Sequence, residues 1–290
     1  MIISIASGKG GTGKTTLAAA LSLSLDNVQL LDCDVEEPNT HLFLHPEFSG
    51  EQDATLPVPQ VNHSLCDTCG ICQEICEFNA LAVIPPRNGS RGGVMLFERL
   101  CHGCGACAVL CPQKAIREIP RKIGTVQWGV SGLSGYPEVS FVHGMLDTGQ
   151  ALAPPVIRQV KQHLDSAKTV IIDAPPGTSC PVVEAVKGSD YTILVTEPTP
   201  FGLHDLLLAV DLLTALRIPF GVVINRAEDG NTSVEDFCEE HAIPILLRIP
   251  YSRRIAEAYS DGRTFLEIWP ESKTRMTRIV QHVVESGENV

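Results

Sequence analysis

Apolar residues along this chain fall into short, nearly unbroken runs: MIISIA at the start, VQLLD at 28–32, TVIID at 169–173, YTILVT at 191–196, FGVVIN at 220–225 and ILLRI at 245–249. A strand with one wet face alternates polar and apolar positions, so continuous runs of this length predict strands buried on both faces. TVQWGVSG (125–132) and EVSFVHGML (138–146) add two more strands. Between the runs, TTLAAALSLSL (15–25), PPVIRQVKQHLDSA (154–167) and FGLHDLLLAVDLLTAL (201–216) read as helices. Strands interleaved with helices predict an α/β fold, a mostly parallel sheet with helices on both faces.

The rhythm breaks once. HPEFSGEQDATLPVPQVNHS (45–64) reads as a polar, proline-bearing connector, and a cysteine-rich segment follows, with the loop PPRNGSRGG (85–93) inside it. CDTCGICQEICEFNAL from Cys66 and CHGCGACAVLCPQKAI from Cys101 align at a period of 35 residues and share all four cysteines. Two copies of one small unit are therefore expected. The organisation predicted is a discontinuous domain, 1–59 and 115–290, interrupted by a small α+β insert at 60–114.

Gly8, Gly13, Lys14 and Thr15 satisfy G-x-x-x-x-G-K-[ST] between a strand and a helix, the setting in which backbone N–H groups and a helix N-terminus cradle phosphates. Gly8, Gly10, Gly11, Thr12, Gly13, Lys14, Thr15 and Thr16 are thus candidate nucleotide contacts. Lys14 is expected on the β- and γ-phosphates and the Thr15 hydroxyl on Mg²⁺. VQLLDCD ends in two carboxylates, Asp32 and Asp34, at a strand end.

A second lysine, Lys9, stands inside the loop. With it the sequence resembles the deviant Walker A ATPases, the family of MinD, ParA, the Mrp-type cluster carriers and the nitrogenase iron protein. DCDVEEPN (32–39) matches switch I, DAPPGT (173–178) switch II, VVINRA (222–227) an adenine-recognising strand end, and IPYSRRIAEAYSDGR (249–263) a C-terminal segment. The resemblance implies ATP hydrolysis by an ATP-dependent homodimer, with Lys9 reaching the partner's nucleotide. It also implies that Asp34 positions the attacking water, with Asp32 able to share that role, and that Asp173 holds the Mg²⁺ shell. Asn225 would read the adenine, with Arg226, Pro250 and Tyr251 beside it.

Eleven cysteines without an export signal argue for metal ligation rather than disulfides. Cys66, Cys69, Cys72 and Cys76 give C-x₂-C-x₂-C-x₃-C, and Cys101, Cys104, Cys107 and Cys111 repeat it with Pro112 following. This is the bacterial two-cluster ferredoxin run, in which the fourth cysteine of each set serves the other cluster. It assigns Cys66, Cys69, Cys72 and Cys111 to one [4Fe–4S] cluster and Cys101, Cys104, Cys107 and Cys76 to the second. Glu77 stands where the first copy would have its proline. Zinc is the competing metal, although zinc sites usually pair two CxxC units. Cys33, Cys180 and Cys238 read as small buried side chains; Cys180, near switch II, has the alternative of a subunit-bridging cluster ligand, as the nitrogenase iron protein carries one in that region. His63 and His102 read as solvated loop residues.

The net charge of −12 disfavours nucleic acid as a partner. Residues 1–59 hold two basic and eight acidic side chains, whereas 60–122 hold seven and five, which sets the insert apart. No apolar run is long enough to span a bilayer, and MIISIA lacks a signal peptide's flanks, so a cytoplasmic protein is expected. The C-terminal TRMTRIVQHVVESGENV is poor in basic residues and is expected to pack as a final helix rather than lie on a membrane. Two functions fit: a nucleotide-gated iron–sulfur device that passes electrons to, or reductively activates, a client protein, and a cluster carrier or MinD-like positioning factor. Buried, fully thiolate-ligated clusters would favour the first.

Overall fold

The apolar runs form the middle of a nine-stranded sheet in the computed structural model, which describes residues 1–87, 92–227 and 230–287, with side chains to 285. Residues 88–91 of the PPRNGSRGG loop and the C-terminal 288–290 lie outside the described residues. The strands are β1 (Ile2–Ala6), β2 (Val28–Asp32), β3 (Glu47–Val61), β4 (Leu81–Ile84), β5 (Gly93–Leu96), β6 (Ile116–Ser131), β7 (Val139–Leu146), β8 (Thr169–Asp173), β9 (Tyr191–Thr196), β10 (Phe220–Ala227) and β11 (Ile245–Pro250). The large sheet runs β11-β10-β9-β1-β8-β2-β7-β6-β3, and β4 pairs with β5 separately. From β11 to β7 every pairing is parallel.

The continuous runs are buried on both faces, as a parallel sheet requires. Helices α5 (Pro154–Lys161), α6 (Cys180–Val186), α7 (Pro200–Leu216) and α8 (Ser233–Glu240) cover one face, where Val156, Val182, Leu206 and Val234 meet Val170, Ile172, Val222 and Ile224. The other face packs Leu17 and Leu21 of α1 (Lys14–Ser22) and Met276, Ile279 and Val283 of α10 (Ser272–Gly287) on Ile3, Ile5, Ile171 and Val223. The C-terminal helix is thus a packed one. Helix α9 (Arg253–Ser260) follows β11 and borders the nucleotide cleft.

The expected connector at 45–64 is instead mostly strand. β3 pairs antiparallel with β6 along its whole length, from Glu47 opposite Val130 to Val61 opposite Ile116, and β6 pairs antiparallel with β7 only from Gly124 onward. Residues 54–61 and 116–123 therefore form a two-stranded ribbon that outruns the sheet. Pro57, Pro59 and the charges at 47, 51 and 53 disguise β3, but it is an edge strand, where a missing N–H and solvated charges are tolerated. Ala54, Leu56 and Val58 are buried in alternation, as one-sided burial demands, and Pro59 is buried beside them at the end of the run. The cysteine segment hangs from the ribbon's tip. It is consequently joined to switch I through the short helix α2 (His41–Leu44) and fifteen residues of strand, not directly.

Inside the insert the sequence repeat is a structural repeat. Helix α3 (Ile71–Glu74) recurs 35 residues later as α4 (Ala106–Val109), each preceded by a left-handed glycine, Gly70 and Gly105. Asn79 and Lys114, also 35 apart, both adopt positive φ, and their N–H groups bond the carbonyls of Cys76 and Cys111 at 3.0 and 3.1 Å.

Candidate nucleotide site and cysteine cavities

Gly11 and Gly13 take positive φ of 76° and 99°, which lets the loop after β1 wrap around and deliver Lys14 as the first residue of α1. No side chain caps α1, so its leading N–H groups are left for an anion. The loop opens onto a cleft of about 410 Å³, lined by Gly10, Gly11, Gly13, Lys14, Thr15, Thr16, Asp34, Asn225, Arg226, Pro250 and Tyr251, with Glu37, Asn39 and α9 completing the wall. Gly8 and Thr12 are not among the residues lining it; Gly8 sits against the Asp205 backbone, where a Cβ would have no room. A more open cavity of about 520 Å³ between Leu133–Tyr136 and Leu266–Lys273 contains none of the motif residues.

Parallel pairing sets Asp32 beside Asp173 at the strand ends. Both are fully buried, and Lys14 is 6% exposed near them. Burial lowers the Lys14 pKa against the opposing pull of Asp173, Asp34 and Asp32. Burial first, and the neighbouring Asp173 charge second, hold Asp32 well above the carboxylate range and push Asp34 up to about 6. Asp173 is also raised by burial, with Lys14, Thr15 and Thr40 opposing. Thr40 spans the pair: its N–H donates to Asp32 Oδ2 and its hydroxyl to Asp173 Oδ2, both at 3.1 Å. Asp173 Oδ1 is buried without a hydrogen-bond partner among the described residues. The three carboxylates crowd one another without converging on one ion, and Asp173, with its orphaned oxygen beside Thr15, is the oxygen donor suited to a hard divalent cation such as Mg²⁺.

Lys9 folds back onto its own chain. Its Nζ lies 3.6 Å from Glu197 Oε2, and Arg226 Nη1 lies 2.6 Å from Glu197 Oε1, so one largely buried carboxylate holds a cation from each side of the cleft. Asn225 donates from Nδ2 to the Thr12 carbonyl at 2.7 Å and accepts the Arg226 N–H at Oδ1. Here its amide ties β10 to the phosphate loop while still lining the cleft.

The eight repeat cysteines divide between two cavities. Cys66, Cys69, Cys72 and Cys111 line one, with Val83, Val94 and Ile116, and Cys76, Cys101, Cys104 and Cys107 line the other, with Ile75, Phe78 and Leu81. The fourth cysteine of each copy therefore crosses to the other copy's cavity. Backbone N–H groups of Ala80 and Ala115 donate to the sulfurs of Cys76 and Cys111 at 3.3 Å, another pair 35 residues apart, and Thr68 N–H donates to Cys66 at 3.4 Å. Burial pushes the Cys107 thiol up to about 11 and raises Cys72 and Cys101 as well, so ligation there needs a cationic group to draw the protons off. Among the described residues no group of three or more His, Cys, Asp or Glu side chains converges as tightly as a single ion requires. The thiols surround cavities, an arrangement suited to a multi-atom cluster. Cys69 and Cys104 are exposed.

Comparison with known proteins matches residues 3–265 to the CobQ/CobB/MinD/ParA nucleotide-binding domain. The chain belongs to this family. It is a P-loop ATPase of the MinD/ParA type. An uncharacterised protein of Methanocaldococcus jannaschii is 31% identical over 256 residues, covering 86% of each chain. The iron–sulfur cluster carrier protein of Aquifex aeolicus is 24% identical over 318 residues, covering 99% of this chain and 69% of its own. Among solved structures, the septum site-determining protein MinD of Pyrococcus horikoshii, complexed with Mg-ADP, superposes with a TM-score of 0.58 at 20% identity, covering 97% and 95% of the two chains. That likeness bears on the fold.

Within this P-loop ATPase, sequence reasoning missed Thr40 and Glu197. Nothing in their residue types announced them; the register of β2 on β8 and the return of β9 beside β1 bring them to the site. Of the three unassigned cysteines, Cys33 and Cys238 are buried as expected, but Cys180 is exposed, because it is the first residue of α6. His102 stacks face to face on Phe78 at 3.6 Å rather than standing free in a loop. Among the described residues no helix is long and apolar enough to cross a membrane.

Proposed function

We propose that this ATPase works as an ATP-dependent dimer whose nucleotide state is coupled to two [4Fe–4S] clusters, one held by Cys66, Cys69, Cys72 and Cys111 and one by Cys101, Cys104, Cys107 and Cys76, for electron delivery to, or reductive activation of, a client protein. The observation that supports it most is the division of the eight cysteines into two cavities with crossed fourth members. When bound, such clusters supply one-electron storage. The chain's own residues do the rest. Lys14 and the α1 N-terminus receive phosphates, Thr15, Asp32 and Asp173 offer oxygens to a cation, and Asp34 orients and deprotonates water at the cleft. Lys9, released from Glu197, reaches the partner's nucleotide, and Asn225, Arg226, Pro250 and Tyr251 bound the base.

The ribbon supports coupling in particular. Leu56 and Val58 of β3 share one continuous core with Ala80, Cys101 and the sheet residues Ile172 and Val142, so the second cysteine set packs into the same body as the nucleotide site. The test is a redox titration of the Asp34→Ala protein with and without Mg-ATP. Coupling free energies of about 1–3 kcal/mol move a one-electron midpoint by about 40–130 mV. Superimposable midpoints, with equal ATP affinity for oxidised and reduced protein, would refute it.

A second reading, cluster delivery to an acceptor, is favoured by the exposure of Cys69 and Cys104, since a cargo must be open to exchange. The carrier relative points the same way. Incubation with an apo iron–sulfur protein separates the two: delivery empties the cysteine sites, whereas electron transfer leaves iron and sulfide in place.

A further inference from the structure

Thr40 directly follows the 32–39 segment that resembles switch I and is fully buried. It makes both of its donor contacts to strand-end carboxylates, N–H to Asp32 and hydroxyl to Asp173 Oδ2, while Asp173 Oδ1, on the Thr15 side, has no hydrogen-bond partner within bonding distance among the described residues. Its carbonyl accepts the N–H groups of Phe43 and Leu44 at 3.1 and 3.2 Å, which starts α2 directly on it. The far end of α2 is tied to the β3–β6 pair, at the end away from the cysteine insert: Ser131, the last residue of β6, donates its hydroxyl to the Leu44 carbonyl. The flank is tied too. His41 meets His143 edge to face at 5.5 Å, and Phe48 of β3 stacks on that same imidazole at 5.1 Å. Residues 40–48 contain no glycine and include Pro46, which limits their backbone freedom, and β3 then runs to the ribbon through Gly50 with two shifts of register on β6.

We propose that Thr40 is a positioning residue that orients Asp173 toward the cation and, through α2, sets the sheet end of the β3–β6 pair whose other end carries the cysteine insert. This rests on the nucleotide half of the reading above and names the element through which it would be coupled. A cation on Oδ1 draws charge from the carboxylate and changes the strength of the bond at Oδ2, so the two states of the site differ in how firmly Thr40 is held. A differential of this kind is what a ligand needs in order to bias a conformational equilibrium.

The test uses full-length protein purified anaerobically. Amide hydrogen exchange of residues 45–61 is measured without nucleotide, with ATP and chelator, and with Mg-ATP, in the wild type, T40V and T40S. Alongside it, the Mg²⁺ concentration that half-saturates ATP-bound protein is determined. Mg-ATP should change exchange along 45–61 in the wild type. T40V should lose that response and need about tenfold more Mg²⁺, the loss expected for one hydrogen bond to a charged acceptor. T40S, which keeps the hydroxyl, should restore both. If T40V does not fold, T40A provides the same comparison. A T40V ribbon that responds like the wild type would overturn the role of Thr40, and a wild-type ribbon deaf to Mg-ATP would overturn it together with the coupling. Protein lacking iron and sulfide whose ribbon still depends on the Thr40 hydroxyl would sink the cluster assignment and uphold this one.

Discussion

Replacing Asp34 by Asn in the ligand-free protein should stabilise it at neutral pH. Burial and the Asp173 charge raise the Asp34 carboxyl from 3.8 to about 6. At about 1.4 kcal/mol per pH unit this corresponds to about 3 kcal/mol of folding free energy, and because Asp34 is open on one side, water screening reduces it to about 1–2 kcal/mol. The sign follows from proton binding. Below pH 4 the carboxyl is protonated folded and unfolded, and no penalty exists. As pH rises through 6 the folded state is forced to hold a carboxylate that the unfolded chain holds more cheaply, so the penalty is complete above 6. Asn cannot ionise and escapes it. In thermal melts with chelator and no nucleotide, D34N should melt about 2–3 °C above wild type at pH 7.5, with the gap closing toward pH 4. Mg²⁺ should stabilise the wild type more than the variant, since it neutralises the same charge. A variant melting at or below wild type at pH 7.5, or an advantage undiminished at pH 4, would refute the account of the carboxylates as a group strained in readiness for a cation.

Lys14→Ala should abolish ATP binding, whereas Lys9→Ala should bind ATP and lose both hydrolysis and ATP-dependent dimerisation; equilibrium binding and light scattering separate them, and normal hydrolysis by K9A would exclude a cross-dimer role. Gly13→Ala should cost at least tenfold in ATP affinity, because φ of 99° strains any L-residue and the added Cβ strikes Asn225 Nδ2; unchanged affinity by calorimetry would contradict this. Leu56 is 2% exposed beneath Gly103, so Leu56→Ala should destabilise by about 2–5 kcal/mol and loosen the Cys101 set before the Cys66 set. Purified L56A should fall from about eight toward about four iron and sulfide per chain, and equal loss from both sets would show that the shared core does not discriminate.

The sheet was legible because parallel strands buried on both faces leave continuous apolar runs, and the phosphate loop because its chemistry demands fixed local spacing; the cysteine spacing matches the way the eight side chains line two cavities. β3 was hidden for a physical reason. An edge strand can carry Pro57, Pro59, Glu47, Glu51 and Asp53, residues that read as loop in any context except an edge, and only the alternation of Ala54, Leu56 and Val58 betrayed it. The partners of the site residues were illegible for another reason. Thr40 lies 133 positions from Asp173 and Glu197 lies 188 from Lys9, and only strand order brings them together. Cys180 misled because a cysteine usually packs as a small buried side chain, yet as the first residue of α6 it faces solvent.

Val61 and Ile116 end the ribbon as a cross-strand pair, so the whole insert departs and returns across a gap of about 5 Å. Such a gap is a socket. Any unit whose two termini meet can be plugged into it without disturbing the register of a single sheet strand, and the entropy of closing the loop grows only slowly with what is inserted. The joint is fitted, with Leu56 and Val58 buried jointly with Ala80 and Cys101, and under the proposed coupling it is where the insert takes its motion. A replacement of equal size but unmatched at that joint would be carried by the ATPase and would not be moved by it.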